Sequence, residues 1–253
     1  MASPNRNTAQ HAYVAPEASS PAWPTPSPRD IPITIPSSSS SPVAAALWAQ
    51  LRRIDRLFDL FSGYNHVMDP HGIEKLCTHL EMNHLDVKIL MLAWKMKAKK
   101  QGYFHRDEWR RGLRKLKVDN MEKLKNALFY LEIEARIPPH FEDFFAYSFK
   151  YNLIEERQTS LDVEFLCKLL EIVMGPLFRP QVQLLIEFLK TQTMYRVLIM
   201  DQWMNMFYFC NQIKFPGLDN YDPNDAWPVI IDSFVEWLKR KQGEEGTHPS
   251  SRR

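Results

Sequence analysis

A stretch near the middle of the chain, "KMKAKKQGYFHRDEW", has the spacing of a calcium-binding loop without its ligands. If the loop begins at Lys97, Gly102, Phe104 and Glu108 stand where an EF-hand needs its turn glycine, an apolar residue and a bidentate carboxylate. Two positions that should hold oxygen ligands are lysines instead, Lys97 and Lys99. An ammonium group repels a divalent cation and offers it no oxygen. The spacing therefore predicts a helix–loop–helix unit that binds no calcium.

The chain from about residue 44 onward is a succession of amphipathic segments with helical periodicity. We find no alternating apolar–polar run longer than a few residues, so strands of ordinary length are not expected. The first segment places its apolar side chains at three- and four-residue intervals, which predicts one buried helix face: Leu47, Leu51, Ile54, Phe58 and Phe61. The sequence predicts an all-α protein.

A second, fainter copy of the loop pattern occurs further along the chain. Gln202 lies where the first copy has Glu108, and Leu198 precedes it by four residues, as Phe104 precedes Glu108. Positions 1, 3 and 5 of this copy, Thr191, Thr193 and Tyr195, contain no carboxylate. Two copies predict two halves, each built from a pair of EF-hand-like helix–loop–helix units.

Composition divides the chain into a helical domain and two tails. The first 43 residues contain nine of the 18 prolines, nine serines and no glycine. Such a segment buries too little apolar surface to offset its ordering entropy, so we expect disorder. Its "PAWPTPSP" is a plain tether or a polyproline-type ligand, and we favour the tether. We assign tails to 1–43 and 243–253 and one domain to 44–242, with halves at about 45–130 and 140–240.

No motif points to an enzyme, a metal site or a cofactor. The chain has no HExxH, glycine-rich phosphate loop or GxSxG sequence. Cys77, Cys167 and Cys210 each lie in an apolar helical context, which predicts buried reduced thiols. No apolar run reaches the roughly 18–20 residues of a membrane span. The histidines of the first helices are too scattered for zinc: His66, His71, His79 and His84. We expect a protein that acts by binding.

Charge is segregated along the chain. Segment 88–125 has 13 Lys and Arg against four acids, whereas segment 197–238 has six acids against one base, although the whole-chain net charge is only +2. The basic segment is either a solvated helix face or a nucleic-acid-binding surface. In the acidic segment, Asp232 and Glu236 stand one helical turn apart, a like-charge pair that costs a few tenths of a kcal/mol. A cationic partner would remove that cost.

Six segments resemble the defective-in-cullin-neddylation family and its potentiating-neddylation (PONY) domain. The resemblance covers roughly residues 50–240 without large gaps, and AWPV followed by DSFVEWL is a specific motif. It implies an all-α fold of two EF-hand-like halves that bind no calcium, in which packing replaces the metal. The segments are LFDLFSGY, GIEKLCTHL, LMLAWKMKAKKQGYFHRDEWRRGL, VDNMEKLKNAL, DQWMNMFYF and NYDPNDAWPVIIDSFVEWL.

The resemblance also implies a function. Family members are scaffold-type components of neddylation ligases and thereby regulate cullin-RING ubiquitin ligases. They hold a cullin and the conjugating enzyme charged with the ubiquitin-like modifier, so that proximity accelerates transfer without a catalytic residue or cofactor. We expect a monomer of the nucleus and/or cytoplasm, with no membrane or nucleic-acid partner. The alternative is a helical nucleic-acid-binding protein that uses segment 88–125.

Two binding sites follow from the resemblance. An acidic patch for the cullin's C-terminal winged-helix region maps to Asp201, Ala226 and Asp232, and we also expect Asp201 to cap its helix. Asp225 departs from the family, which usually has glycine there. The second site is a pocket for the acetylated N-terminus of the conjugating enzyme. Periodicity alone would assign most of its residues to the core: Ile73, Ile89, Leu92, Ala93, Met96, Ala98, Gln101, Phe104 and Tyr151.

Overall fold

The computed structural model describes residues 41–63 and 66–246, which form ten helices and four short strands. Because the strands have only two or three residues, the all-α prediction is confirmed. The elements are α1 (Pro42–Phe61), β1 (Val67–Met68), α2 (Pro70–His79), α3 (Val87–Met96), β2 (Phe104–His105), α4 (Arg106–Lys115), α5 (Met121–Ala135), α6 (His140–Tyr151), β3 (Ser160–Asp162), α7 (Val163–Val173), α8 (Gly175–Thr191), β4 (Val197–Ile199), α9 (Met200–Gln212) and α10 (Val229–Gly246).

Strands β1 and β2 join the two helix–loop–helix units of the first half. β1 lies between α1 and α2, β2 lies between α3 and α4, and the two pair antiparallel with Met68 opposite Phe104. Phe104 is fully buried, and Gly102 has a φ of +74°, in the left-handed region that favours glycine. Gly102 therefore makes the turn of the loop and Phe104 packs into the core, as the spacing predicts.

Strands β3 and β4 have the same role in the second half. They connect α6 to α7 and α8 to α9, and they pair antiparallel with Leu161 opposite Leu198. Leu198 is fully buried on the strand before α9, as Phe104 is on the strand before α4. The correspondence between the two copies is thus structural. Helix α10 packs against α8 and α9 and completes this half.

Helices α3 and α4 approach each other closely at a glycine. A Cβ atom added to Gly112 of α4 would lie only 2.3 Å from Cγ of Met96, the last residue of α3. Any side chain at position 112 would therefore force the two helices apart. The loop that follows Met96 consequently begins beside the middle of α4.

Helix α1 extends beyond the core. Ile54, Phe58 and Phe61 are buried as predicted, but Leu51 is half-buried and Leu47 is 42% exposed. The helix begins at Pro42, two residues before the predicted domain boundary, and α10 continues to Gly246, four residues after it. Residues 1–40 and 247–253, which carry most of the two predicted tails, lie outside the described residues.

All three cysteines are buried and free, which confirms that part of the sequence analysis. Burial raises the pKa of the Cys77 thiol to about 11 and that of the Cys210 thiol to about 12. The pKa of Cys167 is raised for the same reason. In the part of the chain that the structure describes, no helix is long and apolar enough to cross a membrane.

Candidate functional site

The carboxylate of Glu108 is bound by the backbone of its own loop. Its Oε1 accepts a hydrogen bond from the Lys99 N–H at 3.0 Å, and its Oε2 accepts one from the His105 N–H at 2.9 Å. The side chain at loop position 1, Lys97, instead pairs with Asp143 of α6, with Nζ 3.1 Å from Oδ2. The two carboxylate oxygens that an EF-hand gives to calcium are therefore used to fold the loop.

No metal centre is formed elsewhere in the described parts of the chain. Residues 41–63 and 66–246 contain no group of three or more His, Cys, Asp or Glu side chains placed to hold an ion. The four histidines that sequence analysis considered for zinc are all exposed and lie on different elements or turns: His66, His71, His79 and His84.

Helix α6 binds the same loop from its other side. The Tyr147 hydroxyl donates to the Ala98 carbonyl oxygen at 2.9 Å, and the Gly102 N–H donates to the Tyr151 hydroxyl at 3.3 Å. Burial raises the pKa of Tyr151 to about 12 and raises that of Tyr147 further still, so both phenols are neutral at physiological pH. Gln101 adds a third link through its Nε2, which donates to Asn152 Oδ1 at 2.6 Å. These bonds fix one wall of a cavity.

The cavity has a volume of about 510 Å³ and is lined by residues of α2, α3, α6 and α7 and of the connecting loops. This volume lies in the usual range for sites that bind a small molecule or a peptide terminus. Most of the lining side chains are apolar. The polar and charged ones are Glu74, His84, Asp86, Gln101, Asn152 and Lys168.

Five of the nine residues predicted for the acetyl-terminus pocket line this cavity: Ile73, Ile89, Gln101, Phe104 and Tyr151. The other four are at most 4% exposed, do not line the cavity and belong to the core: Leu92, Ala93, Met96 and Ala98. Leu92, Ala93 and Met96 follow Ile89 in α3, the helix that packs against α4, α5 and α6.

Helix α7 supplies lining residues that sequence reasoning missed. Phe165, which is 37% exposed, lines the cavity together with Lys168, Leu169 and Ile172. Leu85, in the connection between α2 and α3, is 71% exposed and lines it as well. The available signal was the composition of α7, "VEFLCKLLEIV", which has more apolar residues than one buried face requires.

The charged groups of the cavity are already engaged or exposed. Asp86 caps α3 by accepting from the Lys88 N–H at 2.9 Å, and its other oxygen lies 3.5 Å from Lys88 Nζ. The side chain of Glu74 is 58% exposed. Gln101 uses its amide nitrogen for Asn152, and in the described residues its Oε1 accepts no hydrogen bond. That oxygen is available to a bound N–H group.

The predicted acidic patch lies on α9, on α10 and on the segment before α10. Asp201 and Ala226 are exposed, and Asp232 is half-buried in the first turn of α10. The elements are tied together by Phe209 of α9, whose ring centroid lies 6.1 Å from that of Trp227. The prediction that Asp201 caps α9 is wrong, because the N-cap is residue 199 and Asp201 lies in the first turn.

Tyr221 is a further residue of the acidic patch. Its hydroxyl donates a hydrogen bond to Asp232 Oδ1, and its ring stacks on Trp227 at a centroid distance of 6.4 Å. Burial and the bond to Asp232 raise the pKa of Tyr221 well above its usual value, so the phenol remains a neutral donor. Tyr221 therefore holds one oxygen of Asp232 in a fixed direction.

Asp225 fits its turn without strain. It is exposed, and its φ is not among the positive values found at five non-glycine positions of the described chain. The Trp227 N–H donates to the Asp225 carbonyl oxygen at 2.7 Å, which closes the turn before α10. An aspartate can therefore replace the glycine usual in the family, and it adds one more negative charge beside Ala226.

Comparisons with known proteins show the family to which the chain belongs. A family model described as "Cullin binding" matches residues 119–237, the part of the chain that contains the acidic patch. DCN1-like protein 5 of Homo sapiens is 34% identical over 185 residues, which cover 72% of this chain and 75% of that protein. The chain belongs to the defective-in-cullin-neddylation, or DCN1-like, family.

Other DCN1-like proteins match to a similar extent. DCN1-like protein 4 of Homo sapiens is 37% identical over 182 residues, and DCN1-like protein 4 of Drosophila melanogaster is 32% identical over 180 residues. The matched regions cover 72% and 70% of this chain. They cover 61% of the human protein and 70% of the fly protein, so the chain spans less than two thirds of the human DCN1-like protein 4.

Proposed function

We propose that this protein is a scaffold-type component of a neddylation ligase. In this proposal it binds a cullin through the acidic patch and the neddylation conjugating enzyme through the cavity, and so promotes transfer of the ubiquitin-like modifier to the cullin. The observation that carries the proposal is the match of the cullin-binding family model to the residues that form the acidic patch. Holding two reactants in position can supply a large rate gain without a catalytic group.

The three buried cysteines do not favour an enzyme that uses a thiol nucleophile. A cysteine reacts as its thiolate, and burial raises the pKa of all three thiols. The chemistry of transfer in this proposal therefore belongs to the charged conjugating enzyme. The scaffold contributes binding energy and orientation.

The acidic patch favours a cationic partner for electrostatic reasons. Asp201 and Asp225 are exposed, and no ion pair neutralises either of them or Asp232 in the described chain. Each exposed charge pair contributes only a few tenths to about 1 kcal/mol, so several pairs must act together. Because the side chain of Ala226 is only an exposed methyl group, it leaves room for the partner to approach the acidic patch closely.

The first prediction tests the acidic patch. Asp201→Ala combined with Asp232→Arg replaces two attractive charges by one repulsive one, so calorimetry should show no binding to the winged-helix region of a cullin. The melting temperature should fall by no more than about 5 °C, because Asp201 is exposed and the lost bond between Tyr221 and Asp232 costs roughly 1 kcal/mol. Glu156→Ala combined with Glu171→Arg, at exposed acids elsewhere, makes the same charge change and should bind normally. Normal cullin binding by the first variant would refute the assignment.

The cavity favours an acetylated N-terminus over a free one. A free terminal ammonium that enters an apolar cavity loses its hydration at a cost of several kcal/mol unless a carboxylate compensates it. The carboxylate of Asp86 is already bound to Lys88, and that of Glu74 is mostly exposed. Acetylation removes the charge, adds a methyl group that apolar side chains can bury, and leaves an amide N–H for which Gln101 Oε1 is an available acceptor.

The second prediction tests the cavity. The N-terminal peptide of the conjugating enzyme should bind at least roughly tenfold more tightly when acetylated, a difference of about 1.4 kcal/mol. Phe165→Arg places a charge in the cavity wall and should abolish that binding while cullin binding is kept. Phe129→Arg, at a residue that is 58% exposed and does not line the cavity, is the matched control. Equal affinities for acetylated and free peptides would contradict the proposal.

The nucleic-acid alternative loses part of its support in the structure. Seven of the 13 basic residues in segment 88–125 form ion pairs with acidic side chains: Lys88, Lys95, Lys97, Arg106, Arg110, Lys123 and Lys125. Their charge is already neutralised within the fold, so they contribute little to attracting a phosphate backbone.

A further inference from the structure

Six basic residues of segment 88–125 have no ion-pair partner in the described chain, and all six are exposed. Three of them lie at or after the end of α4, one lies a turn earlier in α4, and two lie in the loop after α3. We refer to them as the basic surface: Lys99, Lys100, Arg111, Arg114, Lys115 and Lys117.

The fold brings these residues together from two elements. Arg111 Nη1 donates to the Met96 carbonyl oxygen at 2.9 Å, and Gly112 lies against the same residue. The Lys99 N–H donates to Glu108 in the first turn of α4, so Lys99 and Lys100 lie near the N-terminal end of that helix, whereas Arg114, Lys115 and Lys117 lie at or after its C-terminal end. Cations near a helix C-terminus favour the helix by up to about 1 kcal/mol each, which accounts for Arg114 and Lys115. That effect does not account for the two loop lysines.

The composition of the basic surface favours a protein over a nucleic acid. Asp107 lies on the same exposed side of α4, one turn before Arg111 and two turns before Arg114; its side chain is 84% exposed, and Arg110, which is 3.5 Å away, is also paired with Asp55. A phosphate backbone would be repelled by this carboxylate, whereas a predominantly acidic protein face can present one cation to it. The aromatic ring of this region, Tyr103, is covered by Lys100 at 3.9 Å from its centroid and offers no open platform for stacking a base.

The basic surface adjoins the cavity through one loop. Residues 99 and 100 belong to the surface, and Gln101, Gly102 and Phe104 line the cavity. A peptide tail that leaves the cavity on the side of Gln101 and Gly102 passes Lys99 and Lys100, the two residues that precede them in the chain. Charges separated by less than a Debye length, about 8 Å at physiological ionic strength, are only partly screened. The positive charge of the loop therefore acts on the first part of a tail that leaves on this side.

We propose that the basic surface binds an acidic face on the folded body of the conjugating enzyme whose acetylated N-terminus occupies the cavity. This inference rests on the proposed function of the cavity. The tail supplies the specific contact, and the basic surface accelerates encounter and orients the enzyme, because complementary rim charges act mainly on the association rate.

The test compares two triple variants that each remove three positive charges. Arg114→Gln/Lys115→Gln/Lys117→Gln alters the basic surface without touching the cavity loop. Arg52→Gln/Arg56→Gln/Arg179→Gln removes exposed arginines that form no ion pair in the described chain and lie on other elements. Association of full-length, N-acetylated conjugating enzyme is followed by stopped flow at low and high salt. The acetylated N-terminal peptide is titrated in parallel.

The basic-surface variant should associate with the full-length enzyme at least roughly tenfold more slowly at low salt and should lose most of the salt dependence. The control variant should match the wild type, and both variants should bind the peptide within about twofold of the wild type. An unchanged association rate for the basic-surface variant would overturn the inference. A second result would also overturn it: the basic-surface variant loses binding to a short DNA duplex while its association with the enzyme is unchanged. That result would identify a nucleic-acid surface.

The two proposals fail in different ways. If the acetylated peptide does not bind the wild-type protein, the cavity assignment is wrong. The salt dependence of the association rate with full-length enzyme then still shows whether the basic surface binds the enzyme. If the peptide binds but the full-length enzyme associates at the same rate with all three proteins, only the basic surface is wrong.

Discussion

At the residue scale, the acidic patch depends on a tyrosine that the sequence did not single out. Asp232 is four residues from Glu236, so repulsion between them favours any rotamer that separates the carboxylates. The Tyr221 hydroxyl selects one rotamer by donating to Oδ1, which leaves the other oxygen for a partner. A fixed carboxylate binds a cation with a smaller entropy loss than a mobile one.

The third of our predictions, after the acidic patch and the cavity, concerns this positioning. Tyr221→Phe keeps the ring and its stacking on Trp227 but removes the donor, so cullin affinity should fall by about threefold to tenfold, or roughly 1 kcal/mol. In an Asp232→Ala background the same substitution should have no further effect in calorimetry. A purely structural role would reduce affinity equally in both backgrounds. Tyr208→Phe, which removes a hydroxyl bonded to Glu142 outside the patch, is the control.

At the element scale, the loop between α3 and α4 shows what replaces calcium. A metal ion would neutralise the carboxylate of Glu108 and gather backbone around it. Here two backbone N–H groups bind the carboxylate, and α6 holds the loop through Tyr147 and Tyr151. The EF-hand spacing is kept because the turn glycine and the strand residue Phe104 still determine how the two helices meet.

The fourth prediction concerns the buried carboxylate. Glu108→Gln replaces one acceptor oxygen by an NH₂ group, so one of the two N–H groups loses its partner. The free energy of unfolding in urea should fall by about 1–3 kcal/mol, the cost of a buried unsatisfied group. Calcium should not restore it, because loop positions 1 and 3 remain lysine. Glu122→Gln, at an exposed residue in the first turn of α5, should change stability little. Equal stabilities of the two variants would show that the loop does not depend on Glu108.

At the scale of the whole molecule, helix α6 connects the two halves and thereby the two sites. It packs against α3 and α9, binds the cavity loop through Tyr147 and Tyr151, and accepts a hydrogen bond from Trp203 Nε1 at the Phe145 carbonyl oxygen, 2.9 Å away. The rings of Phe145 and Trp203 stack at a centroid distance of 4.3 Å. These buried contacts pack α9, which carries Asp201, against the helix that holds the cavity loop. The proposed function requires the two sites to keep such a fixed relation, because proximity accelerates transfer only when both partners are held in position.

The basic segment, 88–125, and the acidic segment, 197–238, both keep unpaired charge on the surface of the molecule. Acids of α1, α5 and α6, with Glu81 and Asp119, neutralise about half of the basic segment, and the unpaired remainder lies along α4 and on the loop that precedes it. The acidic segment retains exposed carboxylates on α9 and before α10. One molecule thus presents a cationic and an anionic surface. Such a molecule is suited to two partners of opposite charge rather than to two identical partners.

The sequence by itself determined the elements, the loops and the family. Helical periodicity and the spacing of Gly102, Phe104 and Glu108 are local properties, since the geometry of a turn depends on residues close together in the chain. The residues assigned to the acidic patch followed from the family resemblance, and the charge count showed only that acids are in excess in segment 197–238. Only the tertiary structure decided which apolar residues face a cavity. Helical periodicity predicts that Ala93 and Ile89 both face the interior, but it does not show that Ile89 lines the cavity while Ala93 packs in the core. Tertiary structure also decided which cations are neutralised, because most of their acidic partners lie tens of residues away in the chain.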